Sequence, residues 1–387
     1  MSEWKKYKLE NLVVFIDGDR GKNYPKQDEY LEKGYCLFLN TSNVTKEGFN
    51  FSKVNYISES KDKLLRNGRL EFDDIILTTR GTIGNLALYR EYMYYPMRIN
   101  SSMLILKTKE VLTSEFLYYL LKTQSMQFHM RLFSSGSAQP QLPVRDLKKI
   151  EVMIPSRKVQ DEIVSILSNY DKLIENNNRR IQILEQTAEE LYKEWFVRMR
   201  FPGYENIKFD KGIPEGWEVK KVKGLVKRYR YGSLYKENDV MQEGNVIVID
   251  QSEKDFLGFH NNEPDHFAGI DNPIILFGDH SCKMLIMISP FSLSENVIPF
   301  NAENNLNTLF LFYAIRGLVH TTEYKRHWSD LTNKRILVPD YSLQQKFEAK
   351  VKSIIILINE YKKSNLNFIK QRDLLLPRLM NGTITVK

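Results

Sequence analysis

The chain repeats itself at a fixed distance. Asp146-Leu147 followed by Val152-Met153-Ile154-Pro155 returns 184 residues later as Asp330-Leu331 followed by Ile336-Leu337-Val338-Pro339, and Gln160 returns as Gln344. Such self-similarity predicts two copies of one structural unit. Beyond each proline, a seam of mostly apolar residues advances by alternating steps of four and three. The first seam is Ile163, Leu167, Tyr170, Ile174, Asn177, Ile181, Leu184, Ala188, Leu191 and Trp195. Adding 184 gives Phe347, Val351, Ile354, Ile358, Tyr361, Asn365, Phe368, Arg372, Leu375 and Leu379, where only Asn365 and Arg372 break the pattern. A step averaging 3.5 is the seam of a heptad coiled coil. A helix that merely covers its own domain drifts at 3.6 and shows a broader apolar face. Two long helices of matched register are therefore expected to pack on each other. From Ile163 to Met199 the rise is roughly 50–55 Å. Asn177 and Asn365, polar within the seam, should set register and orientation at some loss of stability. Pro155 and Pro339 suit helix entries. Phe201-Pro202-Gly203 should stop the first helix, and Pro377 should stop or kink the second.

The remaining segments repeat more loosely. Trp4, Leu9, Leu12 and Val13 correspond to Trp217, Val222, Leu225 and Val226 at an offset of 213. The strand-like run Asp74–Gly81 has a counterpart in Pro273–Asp279. β-branched and aromatic runs, Gly/Asn/Ser turns and short helical patterns (Ser114–Met130, Thr308–His320) predict an α+β fold. The expected order is a first globular domain (1–155), a helix (156–200), a linker (201–216), a second domain (217–339), a helix (340–380) and a short tail (381–387).

With 56 Lys+Arg against 48 Asp+Glu, the net charge is +8, which favours a polyanionic partner, usually nucleic acid. Cys36 and Cys282 make no disulfide framework or zinc spacing, as expected in a reducing cytoplasm. No apolar stretch follows the charged Met1–Lys6, so no signal peptide is expected, and no run reaches the ~18 apolar residues of a membrane span.

Candidate chemistry is sparse. Pro339-Asp340 with Glu348-Ala349-Lys350 resembles a nuclease signature, but Glu348 and Lys350 lie two apart on a helix and diverge. Asp17, Asp19 and Asn23 depart from a calcium loop, because glycine falls at the fifth position and Asp28 stands at the twelfth. The six histidines offer no metal pair at helical spacing, and Gly81 and Gly84 make no phosphate loop. No Asn-Pro-Pro-aromatic run or glycine-rich cofactor turn is present. The expectation is a chain without catalytic residues, metal or cofactor of its own.

Basic and polar residues in loops are the candidate DNA readers, since arginine and lysine meet phosphates, arginine pairs with guanine and glutamine with adenine. In the first domain these are Arg20, Lys22, Arg80, Arg131, Ser137, Gln139 and Gln141. In the second they are Lys227, Arg228, Arg230 and Lys236, within the basic-aromatic stretch Lys220–Lys236, and His280, Lys283, Lys325, Arg326 and Lys334. A free-standing DNA-binding or scaffold protein that dimerises through its helices is the alternative reading.

Several stretches together resemble the specificity subunit of type I restriction–modification systems. They are Asp17-Gly18-Asp19-Arg20-Gly21-Lys22-Asn23-Tyr24-Pro25, Thr79-Arg80-Gly81-Thr82-Ile83-Gly84, Gly136-Ser137-Ala138-Gln139-Pro140-Gln141-Leu142, Leu191-Tyr192-Lys193-Glu194-Trp195-Phe196, Ile213-Pro214-Glu215-Gly216-Trp217 and Gly278-Asp279-His280. The resemblance implies two target-recognition domains on double-stranded DNA, each reading one half of a bipartite site. It also implies an antiparallel helix pair that spaces the halves, and docking of two methyltransferase subunits and of motor-nuclease subunits. S-adenosylmethionine, ATP and Mg2+ would belong to those partners. Leu173, Ile183 and Phe196, outside the seam, are candidates to face them. The second copy lacks the Arg-Gly-Thr-Ile-Gly and Gly-Ser-Ala-Gln runs, so the two domains should read different half-sites.

Overall fold

The computed structural model describes residues 4–90, 93–94, 96–134, 140–252, 256–321, 323 and 325–386. The chain divides into two compact units: Met1–Ile174 with Asn367–Lys387, and Glu175–Leu366. Both are α+β, and each contains a stretch of two long helices, Arg157–Tyr192 and Tyr341–Met380.

In unit 1, strand Lys5–Lys8 pairs antiparallel with Glu151–Ile154. A four-stranded antiparallel sheet follows the order Val13–Asp17, Met103–Thr108, Ile75–Thr78, Leu86–Leu88. A three-stranded sheet has Cys36–Leu39 at its centre, antiparallel to Asn55–Ile57 and parallel to Met97–Ile99. Successive strand residues point to opposite faces, and here both faces are covered. Ile75, Leu77, Leu104 and Leu106 pack with Phe116 and Leu117 of helix Ser114–Lys122. Ile76, Met103 and Ile105 pack with Leu37, Leu39, Met97 and Ile99 of the smaller sheet. That explains why the central strands read as unbroken apolar runs.

Unit 2 repeats this plan strand for strand. Glu218–Lys221 pairs with Arg335–Val338. The larger sheet runs Val226–Arg228, Val297–Ala302, Ile274–Gly278, Met284–Met287. The smaller has Val246–Ile249 antiparallel to Gly258–His260 and parallel to Phe291–Leu293. Ile275, Phe277, Ile298 and Phe300 meet Phe310 of helix Thr308–Ile315, while Ile274, Leu276 and Val297 meet Ile249, Phe291 and Leu293.

The repeated glutamines are buried tethers. Gln160 Oε1 accepts from the amide of Thr113 (3.0 Å), and its Nε2 donates to the carbonyls of Pro155 (3.0 Å) and Val111 (2.9 Å). Gln344 Oε1 accepts from the amide of Asn307 (2.9 Å), and its Nε2 donates to the carbonyl of Pro339 (2.9 Å). Thr113 and Asn307 are the N-caps of the short helices packed on the sheets. Each glutamine thus joins the start of a long helix to the start of the helix covering its sheet.

Two short helices differ from expectation. Ser114–Met130 is not one helix but two, Ser114–Lys122 and Gln124–Leu132, because Thr123 turns extended and caps the second with its hydroxyl. The pattern over Thr308–His320 yields a helix only to Ile315, where Arg316 is extended and Gly317 adopts φ +77°.

The first long helix ends in a π-helical turn, Lys193–Val197. The second neither stops nor breaks at Pro377 but continues to Met380. Proline forfeits only one amide donor, and Pro377 is exposed near the end of the helix. Within unit 1, Ile163 and Leu167 share a core with Leu376 and Leu379. Within unit 2, Ala188 and Trp195 share one with Phe347, Val351 and Ile355. In each unit the helices therefore run antiparallel. All twenty seam positions are buried or half-buried. Asn177 Nδ2 donates to Asn365 Oδ1 (2.9 Å), and Asn365 Nδ2 donates to Asn178 Oδ1 (2.8 Å). Arg372 is accommodated by an ion pair with Asp171 (2.7 Å), whose other oxygen accepts from the Tyr119 hydroxyl (2.6 Å). Leu173 and Ile183 are exposed, but Phe196 is not a surface residue. It is 4% exposed, with its ring 4.9 Å from Phe310 and 5.2 Å from Phe347, because the π turn rotates it into the unit 2 core.

Candidate nucleic-acid interface

In unit 1, the polar candidates gather where strand Ile75–Thr78 ends. The Thr79 amide donates to the Ser102 carbonyl (2.9 Å) and its hydroxyl to the same oxygen (3.0 Å). The Leu142 amide donates to the Thr79 carbonyl (2.9 Å), which sets Gln141 opposite Arg80 in a β-bridge. Arg20 Nη2 reaches the adjoining Ser101 carbonyl (3.2 Å). The turn after Thr79 is tied to helix Gln124–Leu132, because Gln127 Nε2 donates to the Gly84 carbonyl (2.9 Å). Arg131 lies exposed one helical turn beyond Gln127. Arg20, Arg80, Gln141 and Arg131 thus belong to one connected set of turns.

The Asp17–Gly21 loop is held internally. Asp19 is 7% exposed, and its oxygens accept from the amides of Gly21 (2.6 Å) and Arg66 (2.7 Å). Burial alone would raise its pKa, but the amide donors of Gly21, Arg66 and Asn67 outweigh it and hold the carboxyl below its ordinary value. Asp17 turns to Arg20, and Asn23 donates to the Leu64 carbonyl. The three residues of the calcium-like pattern therefore address separate partners. Lys22 projects exposed from this loop.

The same strand end exists in unit 2. The Asp279 amide donates to the Asn296 carbonyl (2.9 Å), and the His327 amide donates to the Asp279 carbonyl (2.8 Å). These bonds match those of Thr79 and Leu142, so His280 occupies the place of Arg80, and Arg326 that of Gln141. His280 Nδ1 lies 3.1 Å from the Lys325 carbonyl, its amide donates to Gln251 Oε1 (3.0 Å), and Lys283 Nζ donates to the Ser252 carbonyl (2.7 Å). His280, Lys283, Lys325 and Arg326 therefore share one neighbourhood. Asp279 organises it. Asp279 is 7% exposed, and its Oδ1 accepts from the amides of His327 (3.0 Å) and Trp328 (2.8 Å), capping helix Trp328–Asn333. The Gly278-Asp279-His280 run is visible in the sequence but gives no role to Asp279, because the amides that donate to a loop carboxylate come together only in three dimensions.

The basic stretch Lys220–Lys236 does not form one patch. Lys220 and Lys221 belong to the ladder with Arg335–Val338, and Lys334 precedes that ladder, accepting the Val222 amide through its carbonyl. Lys227 and Arg228 lie on the outer strand of the larger sheet. Arg228 donates to the Tyr231 hydroxyl (2.7 Å) and lies over the Trp328 ring (5.5 Å to its centroid), next to the Arg326 segment. Arg230 is exposed beyond that strand, and Lys236 lies 3.8 Å from Glu295. Ser137 and Gln139 lie outside the described residues.

The family profile described as type I restriction modification DNA specificity domain matches residues 1–186. The chain is 30% identical over 345 residues to the type I restriction enzyme MjaIX specificity subunit of Methanocaldococcus jannaschii, covering 81% of this chain and 78% of that protein. It is 24% identical over 417 residues to the MjaVIII specificity subunit of the same organism, covering 100% and 94%. Among solved structures, the type I restriction–modification S subunit from M. genitalium shares the fold, with a TM-score of 0.57, 17% identity and coverage of 98% and 96%.

Proposed function

The chain belongs to the family of type I restriction–modification DNA specificity subunits, and from that premise we propose that it reads a bipartite, asymmetric DNA site, one half-site per unit. A specificity subunit is the non-catalytic, sequence-recognising part of a larger complex. The observation that carries the bipartite reading is the matched strand end: one backbone arrangement presents Arg80 and Gln141 in unit 1 but His280 and Arg326 in unit 2. Each pair combines side chains suited to base edges, and loops over a rigid sheet are where recognition residues belong. Different pairs at matched places call for different half-sites.

The helix pair sets the gap between half-sites in this reading, about one helical turn of DNA centre to centre. Two methyltransferase subunits dock on the chain, and motor-nuclease subunits join them. S-adenosylmethionine, ATP and Mg2+ act in those partners, and the assembly works in the cytoplasm. Among the described residues, no helix is long and apolar enough to cross a membrane. Leu173 and Ile183, exposed beside the seam, suit the docking of a partner.

Methylome sequencing with and without this gene, beside active partner genes, tests the proposal. Loss of one bipartite methylated motif is expected. An unchanged methylome would contradict it.

A further inference from the structure

We propose that Arg326 reads a guanine in the half-site of unit 2, and that Asp279 is the positioning residue that aims it. The inference rests on the reading of unit 2 as a DNA-binding unit and goes beyond it to one residue and one base. The Arg326 side chain is 75% exposed, whereas that of Asp279 is 10% exposed. Asp279 Oδ1 binds the two amides that follow Arg326, at 3.0 and 2.8 Å, and Oδ2 lies 3.8 Å from Arg326 Nε. The His327 amide also donates to the Asp279 carbonyl at 2.8 Å. One buried residue therefore holds the backbone that carries the arginine, and its second oxygen faces the inner edge of the guanidinium. Among the described residues, neither terminal nitrogen of Arg326 takes a side-chain or carbonyl partner.

A guanidinium with a carboxylate oxygen on its Nε side and its terminal fork open presents two parallel donors, the pattern that meets O6 and N7 of guanine. A phosphate contact needs charge at the surface but no such aiming, since a phosphate accepts from many directions. The neighbours agree with a base-reading place. His280 is tied to the Lys325 carbonyl, and the matched positions in unit 1 are Gln141 and Arg80. Unit 1 has Thr79 where unit 2 has Asp279, so it lacks the buttressing carboxylate, and it carries a glutamine where unit 2 carries the arginine.

The test uses the full chain assembled with its methyltransferase partners and duplexes carrying the methylated motif. Each base pair of the unit 2 half-site is changed in turn, and binding is followed by fluorescence anisotropy across a salt series. The wild type should prefer guanine at one position by about 10–100-fold, and Arg326→Ala should abolish that preference while keeping discrimination elsewhere. Arg326→Lys keeps the charge but lacks the planar fork, so it should not restore the preference. Asp279→Asn, checked for folding by thermal unfolding, should weaken the preference at the same base pair and leave the salt slope unchanged. Uniform weakening by Arg326→Ala across all duplexes, with the salt slope reduced by about one, would make Arg326 a phosphate contact and overturn the proposal. Full guanine preference retained in Arg326→Ala would overturn the proposal alone. A wild-type complex indifferent to every base pair of this half-site would overturn the reading of unit 2 as well.

Discussion

The glutamine tethers and the strand ends are both repeated, but they repeat different things. Gln160 and Gln344 keep the residue and its bonds: each accepts a capping residue's amide and donates to the carbonyl of the proline before its long helix. At the strand ends only the backbone bonds recur, and the side chains change from Arg80 and Gln141 to His280 and Arg326. A tether that must satisfy buried polar groups admits few substitutes, because each unmet group costs about 1–3 kcal/mol. Half-buried or exposed side chains on a held backbone owe less to the fold and can vary with what they read.

The largest effect should come from the tethers. Gln160→Ala strands the Thr113 amide and the carbonyls of Pro155 and Val111, so thermal unfolding should show a loss of roughly 3 kcal/mol or more. Gln344→Ala strands the Asn307 amide and the Pro339 carbonyl and should cost somewhat less. A negligible loss in both variants would break the view of these residues as matched supports.

Asp74 sharpens the comparison through pH. It is 2% exposed in unit 1, and in the register of the larger sheets its place in unit 2 is held by Ile274. Burial pushes its carboxyl up to about 6, against the opposing pull of the Glu71 amide and Lys107. Its folded pKa lies above its unfolded value, so its contribution is full below pH ~4 and is lost as pH rises through ~6, by roughly 2–3 kcal/mol. Asp74→Asn should therefore stabilise unit 1 at pH 7.5 by about that amount and change little near pH 4. Hydrogen exchange resolved by unit should show the gain in unit 1 and not in unit 2.

The polar layer should give the smallest effect. Asn177→Leu leaves Asn365 Oδ1 without its donor and should cost about 1–2 kcal/mol. Asn177→Leu with Asn365→Leu removes both buried amides and should recover that loss, while blurring the register reported by cysteine crosslinks between the helices. Crosslinks that stay sharp in the double variant would remove the register role of the layer.

The helices were legible because a period of 3.5 survives as a pattern of apolar residues at one constant offset. The domains were less so. Residues 27–40 and 237–250 trace the same succession of 3-10 turn, bridge and strand, yet Gly34 and Gly244 are their sole identity. Those glycines persist for a steric reason: a Cβ at Gly34 would lie 2.8 Å from Tyr56 Cβ, and one at Gly244 would lie 2.9 Å from the His260 carbonyl oxygen. Strand positions elsewhere in the segment accept any apolar residue that fits the same face. Loop-length changes then move the offset from 213 at the first strands to 184 at the helices, which hides the match of Arg80 with His280. Charge density along the chain does not carry over to one element, since Lys220–Lys236 is divided among separate strands and turns. Phe196 shows the limit of periodicity alone, because a π turn changes which face is covered, and Pro377 shows that a helix can run through a proline near its end.

The central claim is that two matched frames read two different half-sites independently. Its most direct test is methylome sequencing of strains carrying Gln141→Ala or Arg326→Ala beside active partners. The account predicts that Gln141→Ala relaxes the motif in one half only and Arg326→Ala in the other half only, with the gap between halves unchanged. A substitution in either unit that altered both halves, or that shifted the gap, would contradict it.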